Sequence, residues 1–337
     1  MFGPAPERQL ARQFEQHFTD VRAEHLSAVL RQVLRPGGVV AASQGGVRLV
    51  RGLHQRPTQS FEIASVTKPF TAALAFALAG EGRLELDGPL SRQLAGFRGY
   101  APHVTPRALL THTAGLPLHP LRSVLGTLSD FHDPYGRFSA EGVLASGRRW
   151  SWLGRSQAGR LAYSNFGYGL LALALSEAAG EPYPAALRRW LLGPLELHHT
   201  DFAPRTPLAL PRGLLGSGKV SGFGGLTGAG GLYSTADDLL TFGEAHLSGA
   251  LRGWSTLHQP PGCPPGLLGV AGGWFVTRWR REAVWWHDGV ARGTRAALGF
   301  SPDTGRVAAV LVGSGVPLWG RRAGPSTVLS ELLSPGR

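Results

Sequence analysis

A serine and a lysine three residues apart stand just before the first long apolar run of the chain. Ser65 and Lys68 lead into residues 69–78, which are mostly alanine, leucine and phenylalanine and predict a helix beginning near the serine. Residues three apart on a helix share a face, so the hydroxyl and the amine would be neighbours. A serine becomes a nucleophile when a neighbouring base takes its proton, and a lysine is such a base only when it is neutral. Pro69 lacks the amide that would bond the Ser65 carbonyl, so we expect a distorted first turn.

Two features of this position favour a neutral amine. The positive end of the helix dipole and a desolvated pocket both disfavour an ammonium ion, which would lower the lysine pKa toward neutral pH. The chain also has only two lysines, Lys68 and Lys219, among its 34 basic residues. Arginine could fill an ordinary surface position but does not deprotonate in proteins. Taken alone, the pair also fits a helix cap beside a solvated lysine, so it gains weight only from further motifs.

A second motif, Tyr163-Ser164-Asn165, directly precedes a predicted helix over residues 166–179. A phenol can transfer a proton when a nearby cation lowers its pKa, and the amide of Asn165 can donate to a substrate carbonyl and accept from the lysine. Taken alone, a helix-initiating turn with a packed tyrosine is the simpler interpretation.

A third motif, His287-Asp288-Gly289-Val290, closes a predicted strand. His287 could position a substrate or relay a proton, and Gly289 has no side chain to block a ligand along the strand edge. The amide of Val290 could serve as one oxyanion donor, with the amide of Ser65 as the other. Taken alone, this motif is a strand-end histidine beside a turn.

Composition limits the class of protein. The chain has 337 residues, of which 43% are hydrophobic and 17% charged, and is long enough for one large or two smaller globular domains. Its net charge of +12 would permit binding to nucleic acid or to an anionic membrane. However, the basic residues are scattered arginines with no run longer than a pair, and no nucleic-acid-binding motif accompanies them. We therefore expect no nucleic-acid partner and no membrane partner.

The cellular location is predicted from three absences in the sequence. The one cysteine, Cys263, cannot form an intramolecular disulfide, and residues 1–40 contain no apolar segment of signal-peptide type. The longest apolar runs are shorter than the roughly 20 residues that span a bilayer. These features predict a cytoplasmic protein.

Two other patterns suggest cofactor chemistry but fit it poorly. Residues 213–219 match the G-x-x-x-x-G-K of a phosphate-binding loop, yet Val220 stands where a serine or threonine should hold magnesium. Histidine pairs such as His198-His199 lack the spacing of a metal-binding helix. We therefore expect no metal and no cofactor.

Hydrophobic periodicity predicts an α+β fold. Strand-like runs occur near both chain ends, whereas residues 84–205 show helical patterns and long connections. This order predicts one antiparallel sheet built from both ends and flanked by helices, with residues 1–83 and 206–337 forming the sheet domain and 84–205 an inserted, mostly helical domain. The predicted strands are 39–42, 47–52, 273–279, 283–287, 295–300 and 306–312. The predicted helices include 7–34, 105–110, 166–179, 184–193, 236–247 and 325–333.

In this order, the three motifs resemble the S-x-x-K, Y-x-N and K-T-G or H-x-G signatures of the serine β-lactamase and penicillin-binding-protein superfamily. The likeness is to its class C branch, which includes family VIII esterases and D-alanyl-D-alanine carboxypeptidases, and it extends over about residues 35–315. Segments 109–117, 193–197 and 230–239 are also similar, and we interpret them as packing and turn sequences rather than catalytic ones.

The resemblance implies a β-lactamase/transpeptidase-like fold and a serine hydrolase that acts through an acyl-enzyme on a small ester or amide. Ser65 would attack the carbonyl while Lys68 and Tyr163 move its proton. Asn165 would orient the substrate, and the amides of Ser65 and Val290 would hold the oxyanion.

One departure from the family pattern affects the expected substrate. His287 stands where lactamases and carboxypeptidases have a lysine that attracts a substrate carboxylate. Because a neutral imidazole attracts an anion only weakly at pH 7, ester or peptidase-like substrates are favoured over penicillins. The alternative function is a catalytically inactive binding protein that keeps the fold.

Overall fold

A computed structural model of the chain describes residues 5–120, 135, 138–209, 220–291, 293–313 and 323–334. The phosphate-loop-like pattern at residues 213–219 lies outside the described residues.

The described strands form one antiparallel sheet of seven strands and a separate pair of short strands. In chain order, the strands are β1 (Gly38–Gln44), β2 (Val47–Leu53), β3 (Phe61–Glu62), β4 (Tyr233–Ser234), β5 (Leu267–Ala271), β6 (Trp274–Trp279), β7 (Glu282–Val290), β8 (Arg295–Ser301) and β9 (Arg306–Val312). The main sheet has the order β2-β1-β9-β8-β7-β6-β5, while β3 and β4 pair separately. Because β1 pairs with β9, the two chain ends meet in the sheet, which confirms the predicted architecture. The edge strand β5 was not predicted because a register shift interrupts it beside Gly269.

Helices cover both faces of this sheet. In chain order they are α1 (Pro6–His17), α2 (Ala23–Val33), α3 (Thr67–Gly80), α4 (Leu90–Gln93), α5 (Pro106–Leu110), α6 (Ala140–Leu153), α7 (Asn165–Ala179), α8 (Tyr183–Leu187), α9 (Ala236–Leu247) and α10 (Pro325–Leu333). One sheet face packs against α1, α2 and α10, and the other packs against α3 and α9. The side chains of β8 alternate between these faces: Leu298 lies in the α3 cluster and Ala297 in the opposite one.

The predicted single helix over residues 7–34 is wrong, since it is two helices. Phe18, at the end of α1, adopts an extended backbone, and α2 begins at Ala23. Both Phe18 and Val21 are buried in the break. The side chain of Glu15 accepts a hydrogen bond from the amide of Ala23 at 3.0 Å and so satisfies one free donor at the start of α2. The helical spacing of apolar residues continues across the break because both helices bury their apolar faces in the same hydrophobic cluster.

The helix expected to begin near Ser65 has an irregular start. A 3₁₀ turn over Ala64–Val66 contains the serine, and α3 begins at Thr67. This agrees with the distorted first turn expected from Pro69. Ala64 has a φ of +45°, which is unfavourable for a residue with a β-carbon and places strain directly before the serine. Most of α3 is buried, so Lys68 enters the core with its helix.

The described part of residues 84–205 contains α4 to α8 and joins the sheet through shared packing. One hydrophobic cluster continues from the inner sheet face through α3 into these helices. The division into a sheet domain and an inserted helical domain therefore stays a prediction.

Candidate active site

Three segments that are distant in sequence meet at the amine of Lys68. Its side chain is 0% exposed. The Nζ atom lies 3.1 Å from Ser65 Oγ, 2.8 Å from Asn165 Oδ1 and 2.8 Å from the carbonyl oxygen of Ala229. The structure thus brings together the first two predicted motifs and adds a main-chain carbonyl that sequence reasoning did not identify.

These contacts suit a neutral amine. Burial lowers the pKa of Lys68 well below its usual range, and the charge of Asp288 opposes this shift only in part. A neutral amine has two N–H groups and one lone pair. If the N–H groups bind Asn165 Oδ1 and the Ala229 carbonyl, the lone pair is left for the hydroxyl of Ser65. This arrangement is chemically able to accept the serine proton.

The segment that carries Ala229 is fastened to α3 by side-chain hydrogen bonds. Thr67 Oγ1 accepts from the amide of Leu232 at 3.2 Å, and Thr71 Oγ1 donates to the carbonyl of Gly228 at 2.7 Å. A β-carbon on Gly228 would lie 2.5 Å from the β-carbon of Ala172, so glycine permits close packing on α7. The carbonyl that binds the lysine is therefore fixed by both helices.

Tyr163 lies beside this pair of residues. Its ring centroid is 4.8 Å from Lys68 Nζ, and Ser65 is close enough to the phenol group to oppose in part the rise in its pKa. Burial raises the pKa of Tyr163 above its usual value, so the phenol keeps its proton. This direction is opposite to the one expected from a nearby cation, because burial favours the neutral form of Lys68 too.

The strand end β7 packs directly on the turn that carries the serine. A β-carbon on Gly289 would overlap the carbonyl oxygen of Ile63 and lie 3.3 Å from the amide nitrogen of Ser65. The next residue, Val290, is 57% exposed and lies at the end of β7. Only glycine allows this approach, which brings the strand edge to the predicted oxyanion donor of Ser65.

His287 is buried next to Tyr163, and their ring centroids are 6.2 Å apart. Its Nδ1 lies 2.7 Å from the carbonyl oxygen of Asp288 and must donate to it, since a carbonyl only accepts. Its Nε2 is buried and has no hydrogen-bond partner among the described residues. Burial, followed by the proximity of Lys68, lowers the pKa of His287 to about 3. The third motif thus presents a neutral hydrogen-bond acceptor.

A residue outside the three predicted motifs also contacts the site. The ring of His112 lies 4.5 Å from that of Tyr163, and its Nδ1 accepts a hydrogen bond from the amide of Ser164 at 3.1 Å. His112 belongs to segment 109–117, which we interpreted as packing sequence. A histidine between two threonines, directly after a predicted helix, was the available signal.

Two further observations concern the described residues as a whole. They contain no group of three histidine, cysteine, aspartate or glutamate side chains arranged to hold a metal ion. Within the same residues, none of the helices combines the length and the apolar character needed to cross a bilayer.

The fold and the chain each match known proteins. The structure is similar to that of a D-stereospecific amidohydrolase from Streptomyces sp., with a TM-score of 0.76 and 21% identity over 93% of this chain and 98% of that one. This likeness defines a protein of the β-lactamase/transpeptidase fold. A sequence model of the β-lactamase family matches residues 12–331. The chain therefore belongs to the β-lactamase family.

Two relatives illustrate the range of the family. The D-alanyl-D-alanine-carboxypeptidase/endopeptidase AmpH of Escherichia coli is 28% identical over 221 residues, which are 62% of this chain and 54% of AmpH. The esterase EstB of Burkholderia gladioli is 38% identical over 113 residues, which are 28% of this chain and 29% of EstB. The matched region is thus only about half the length of AmpH.

Proposed function

We propose that this chain is a serine hydrolase that acts through an acyl-enzyme on a small ester or amide. One observation carries the proposal: a buried lysine amine lies between two carbonyl acceptors and 3.1 Å from a serine hydroxyl. Burying an amine in this way is unfavourable unless the amine is neutral, and a neutral amine is the base that a serine nucleophile needs.

The reaction would proceed in two balanced halves. Lys68 accepts the hydroxyl proton while Ser65 Oγ bonds to the substrate carbonyl carbon, and the amides of Ser65 and Val290 bind the oxyanion. When the intermediate collapses, the leaving alcohol or amine departs with that proton, which Tyr163 passes on from the lysine. Water then adds to the acyl carbon and loses its proton to Lys68. As the bond between the acyl carbon and Ser65 Oγ breaks, Lys68 returns this proton to Oγ, which releases the carboxylic acid and restores the serine hydroxyl.

The side chains near the serine favour substrates that are neutral at this position. His287 is uncharged, so it supplies no positive charge near the serine to attract a substrate carboxylate. Asn165 would orient the substrate carbonyl, as expected from the family resemblance. The activities of the similar proteins, a carboxypeptidase/endopeptidase, an esterase and an amidohydrolase, support ester or amide cleavage as the chemistry of this chain.

The first prediction tests the nucleophile with a fluorophosphonate probe. We expect the wild-type protein to be labelled at Ser65, as located by peptide mass spectrometry, and Ser65→Ala to lose the label because the reacting oxygen is gone. The matched control is Ser301→Ala, which removes a buried serine hydroxyl in the sheet and should leave labelling unchanged. Hydrolysis of p-nitrophenyl butyrate, D-alanine p-nitroanilide and nitrocefin would then rank esters, amides and lactams. A folded wild-type protein that reacts with none of these compounds, nor with the probe, would instead support the inactive binding protein.

A further inference from the structure

His112 adopts a backbone conformation that needs an explanation. It follows the end of α5 and has a φ of +57°, in the left-handed region that a residue with a β-carbon rarely occupies. Its side chain is buried, with 5% of the residue exposed. A strained and buried residue next to a reaction centre suggests that its orientation serves the site.

The contacts of His112 surround Tyr163. Its carbonyl accepts a hydrogen bond from the amide of Ala162 at 2.8 Å, and its Nδ1 accepts one from the amide of Ser164 at 3.1 Å. Its ring also packs against the tyrosine ring at a centroid distance of 4.5 Å. His112 therefore binds the residue before Tyr163, the residue after it, and Tyr163 itself.

These contacts determine the protonation state of the imidazole. A main-chain amide can only donate, so Nδ1 must carry the lone pair and the neutral ring holds its proton on Nε2. Burial and the proximity of Lys68 and His287 lower the pKa of His112 well below its usual value. An imidazolium would place an N–H group opposite the amide of Ser164 and break the bond. Because the ring stays neutral, the hydrogen bond from the amide of Ser164 to His112 Nδ1 is retained when the pH changes around neutrality.

The hydrogen bond between His112 and the amide of Ser164 also fixes the start of α7. Ser164 is the N-cap of this helix: its Oγ accepts from the amide of Gly167 at 2.8 Å and donates to the carbonyl of Pro117 at 2.6 Å. The following residue is Asn165, which binds Lys68. His112 therefore fixes the main chain that carries both Tyr163 and Asn165.

We propose that His112 is a positioning residue that holds Tyr163 beside Lys68 and Ser65 by binding the main chain on both sides of the tyrosine. This role rests on the proposed function, because it concerns the same proton transfer. Segment 109–117 accordingly contributes to the chemistry and does more than pack the core.

Three substitutions of His112 distinguish the effect of its hydrogen-bond acceptor from the effect of its ring. His112→Asn places a carbonyl oxygen near the position of Nδ1, and asparagine tolerates a positive φ better than most residues. His112→Gln has the same amide one bond further from the backbone, nearer the position of Nε2. His112→Phe retains a ring against Tyr163 but leaves the amide of Ser164 without an acceptor.

The measurements are the rate of fluorophosphonate labelling and the kcat and KM for p-nitrophenyl butyrate. We expect His112→Phe to lower the labelling rate and kcat by about 10²-fold, with little change in KM, because misplacing a catalytic group by about 1 Å has an effect of that size. His112→Asn should recover most of the loss, whereas His112→Gln should not. If the Phe variant does not fold, the comparison of Asn with Gln decides the question.

The control is His246→Phe. His246 is a buried histidine whose Nδ1 bonds the carbonyl of Phe242 and whose Nε2 bonds the indole of Trp274, so its loss also removes two hydrogen bonds. We expect this variant to be less stable but labelled at the wild-type rate. Wild-type labelling of His112→Phe, equal losses in the Asn and Phe variants, or an equal loss in the His246 variant would overturn the positioning role while leaving the proposed function intact. A wild-type protein that does not react would overturn both.

Discussion

At the scale of single residues, the site depends on an amine that would be charged in water. Lys68 is surrounded by the carbonyls of Asn165 and Ala229 and the hydroxyl of Ser65, and no carboxylate forms an ion pair with it among the described residues. Burial alone is the largest cause of its lowered pKa. A group kept neutral in this way reduces the free energy of unfolding at neutral pH, because the unfolded chain gains a proton.

The lowered pKa of Lys68 predicts how the stability of Lys68→Met depends on pH. The folded pKa of Lys68 is lowered, so between that pKa and the unfolded value of about 10.4 the unfolded chain binds more protons. The free energy of unfolding of the wild type should therefore rise with pH across this window, and Lys68→Met should lack that rise while losing fluorophosphonate labelling. Urea denaturation at pH 7 and pH 9.5 measures both proteins. If the free energy of unfolding changes with pH in the same way in both proteins, Lys68 is not neutral in the folded wild type.

At the scale of elements, the short ladder β3–β4 holds the residues that lead into the turn carrying Ser65. Glu62 in β3 is 3% exposed, and its Oε1 accepts from the amide of Ser221 at 2.6 Å. Its carbonyl accepts from Thr294 Oγ1 at 2.8 Å, which links β3 to the segment that precedes β8. Burial raises the pKa of Glu62 to about 7. This carboxyl group therefore titrates near neutrality, three residues before Ser65.

The corresponding prediction concerns Glu62→Gln. The folded protein keeps the Glu62 proton up to about pH 7, whereas an unfolded glutamate loses it near the reference value of 4.5, so the stability of the wild type should fall as the pH rises through this window. Glutamine retains an acceptor and has no proton to lose. We expect the variant to be more stable than the wild type at pH 8, by at most about 3 kcal/mol.

Urea denaturation at pH 5 and pH 8 tests this expectation. The control is Glu141→Gln at an exposed position of α6, which should leave the pH dependence unchanged. If the stability of Glu62→Gln falls between pH 5 and pH 8 as much as that of the wild type, the fall is caused by groups other than Glu62.

The elements also show where sequence patterns were partly right. Thr235 and Asp238 have the spacing of a capping box at the start of α9, and Thr235 Oγ1 accepts from the amide of Asp238 at 3.3 Å. The carboxylate of Asp238 does not reach back to close the box. It accepts instead from the amide of His199 and from Thr200 Oγ1, at 2.9 and 2.8 Å. Asp238 has the position of a local helix cap, but its carboxylate binds a segment about 40 residues earlier in the chain.

At the scale of the whole molecule, one buried arginine joins three distant parts of the chain. Arg306 in β9 is 2% exposed. Its guanidinium donates to Asp20 between α1 and α2, to Gln44 in β1 and to the carbonyl of Leu332 in α10, at distances between 2.6 and 3.1 Å. It therefore fastens the outer helices to the sheet that both chain ends build.

We expect Arg306→Met to lower the free energy of unfolding by about 2 kcal/mol, because it leaves the buried carbonyl of Leu332 and the partly buried side chain of Gln44 without their donor. Urea denaturation measures the loss, and fluorophosphonate labelling of the folded protein should persist because the arginine lies on the sheet face opposite α3. The matched control is Arg280→Met, which removes contacts with Ser334 and Glu331 from a more exposed side chain and should be less destabilising. Equal losses in the two variants would show that burial of the arginine is unimportant.

Two predictions for the whole molecule stay predictions. The division into residues 1–83 with 206–337 and an inserted 84–205 is supported by element order, yet one hydrophobic cluster crosses it. The cytoplasmic location is an expectation from sequence patterns alone.

Local sequence patterns were sufficient to predict the reactive groups and most of the helices and strands. Spacing within a helix paired Ser65 with Lys68, and alternation along strands predicted most of the sheet, because both signals lie within a few residues of one another. The break between α1 and α2 was missed because the apolar period continues through it.

The surroundings of those groups, by contrast, come from contacts between distant parts of the folded chain. The carbonyl that binds Lys68 comes from Ala229, 161 residues further along the chain, and a main-chain carbonyl has no signature in a sequence. The contact of His112 with the main chain beside Tyr163 likewise joins residues about fifty positions apart. The spacing of Ser65 and Lys68 predicts a nucleophile and a base. Desolvation depends on everything that packs around a side chain, so only the folded chain provides the burial that lowers the pKa of Lys68.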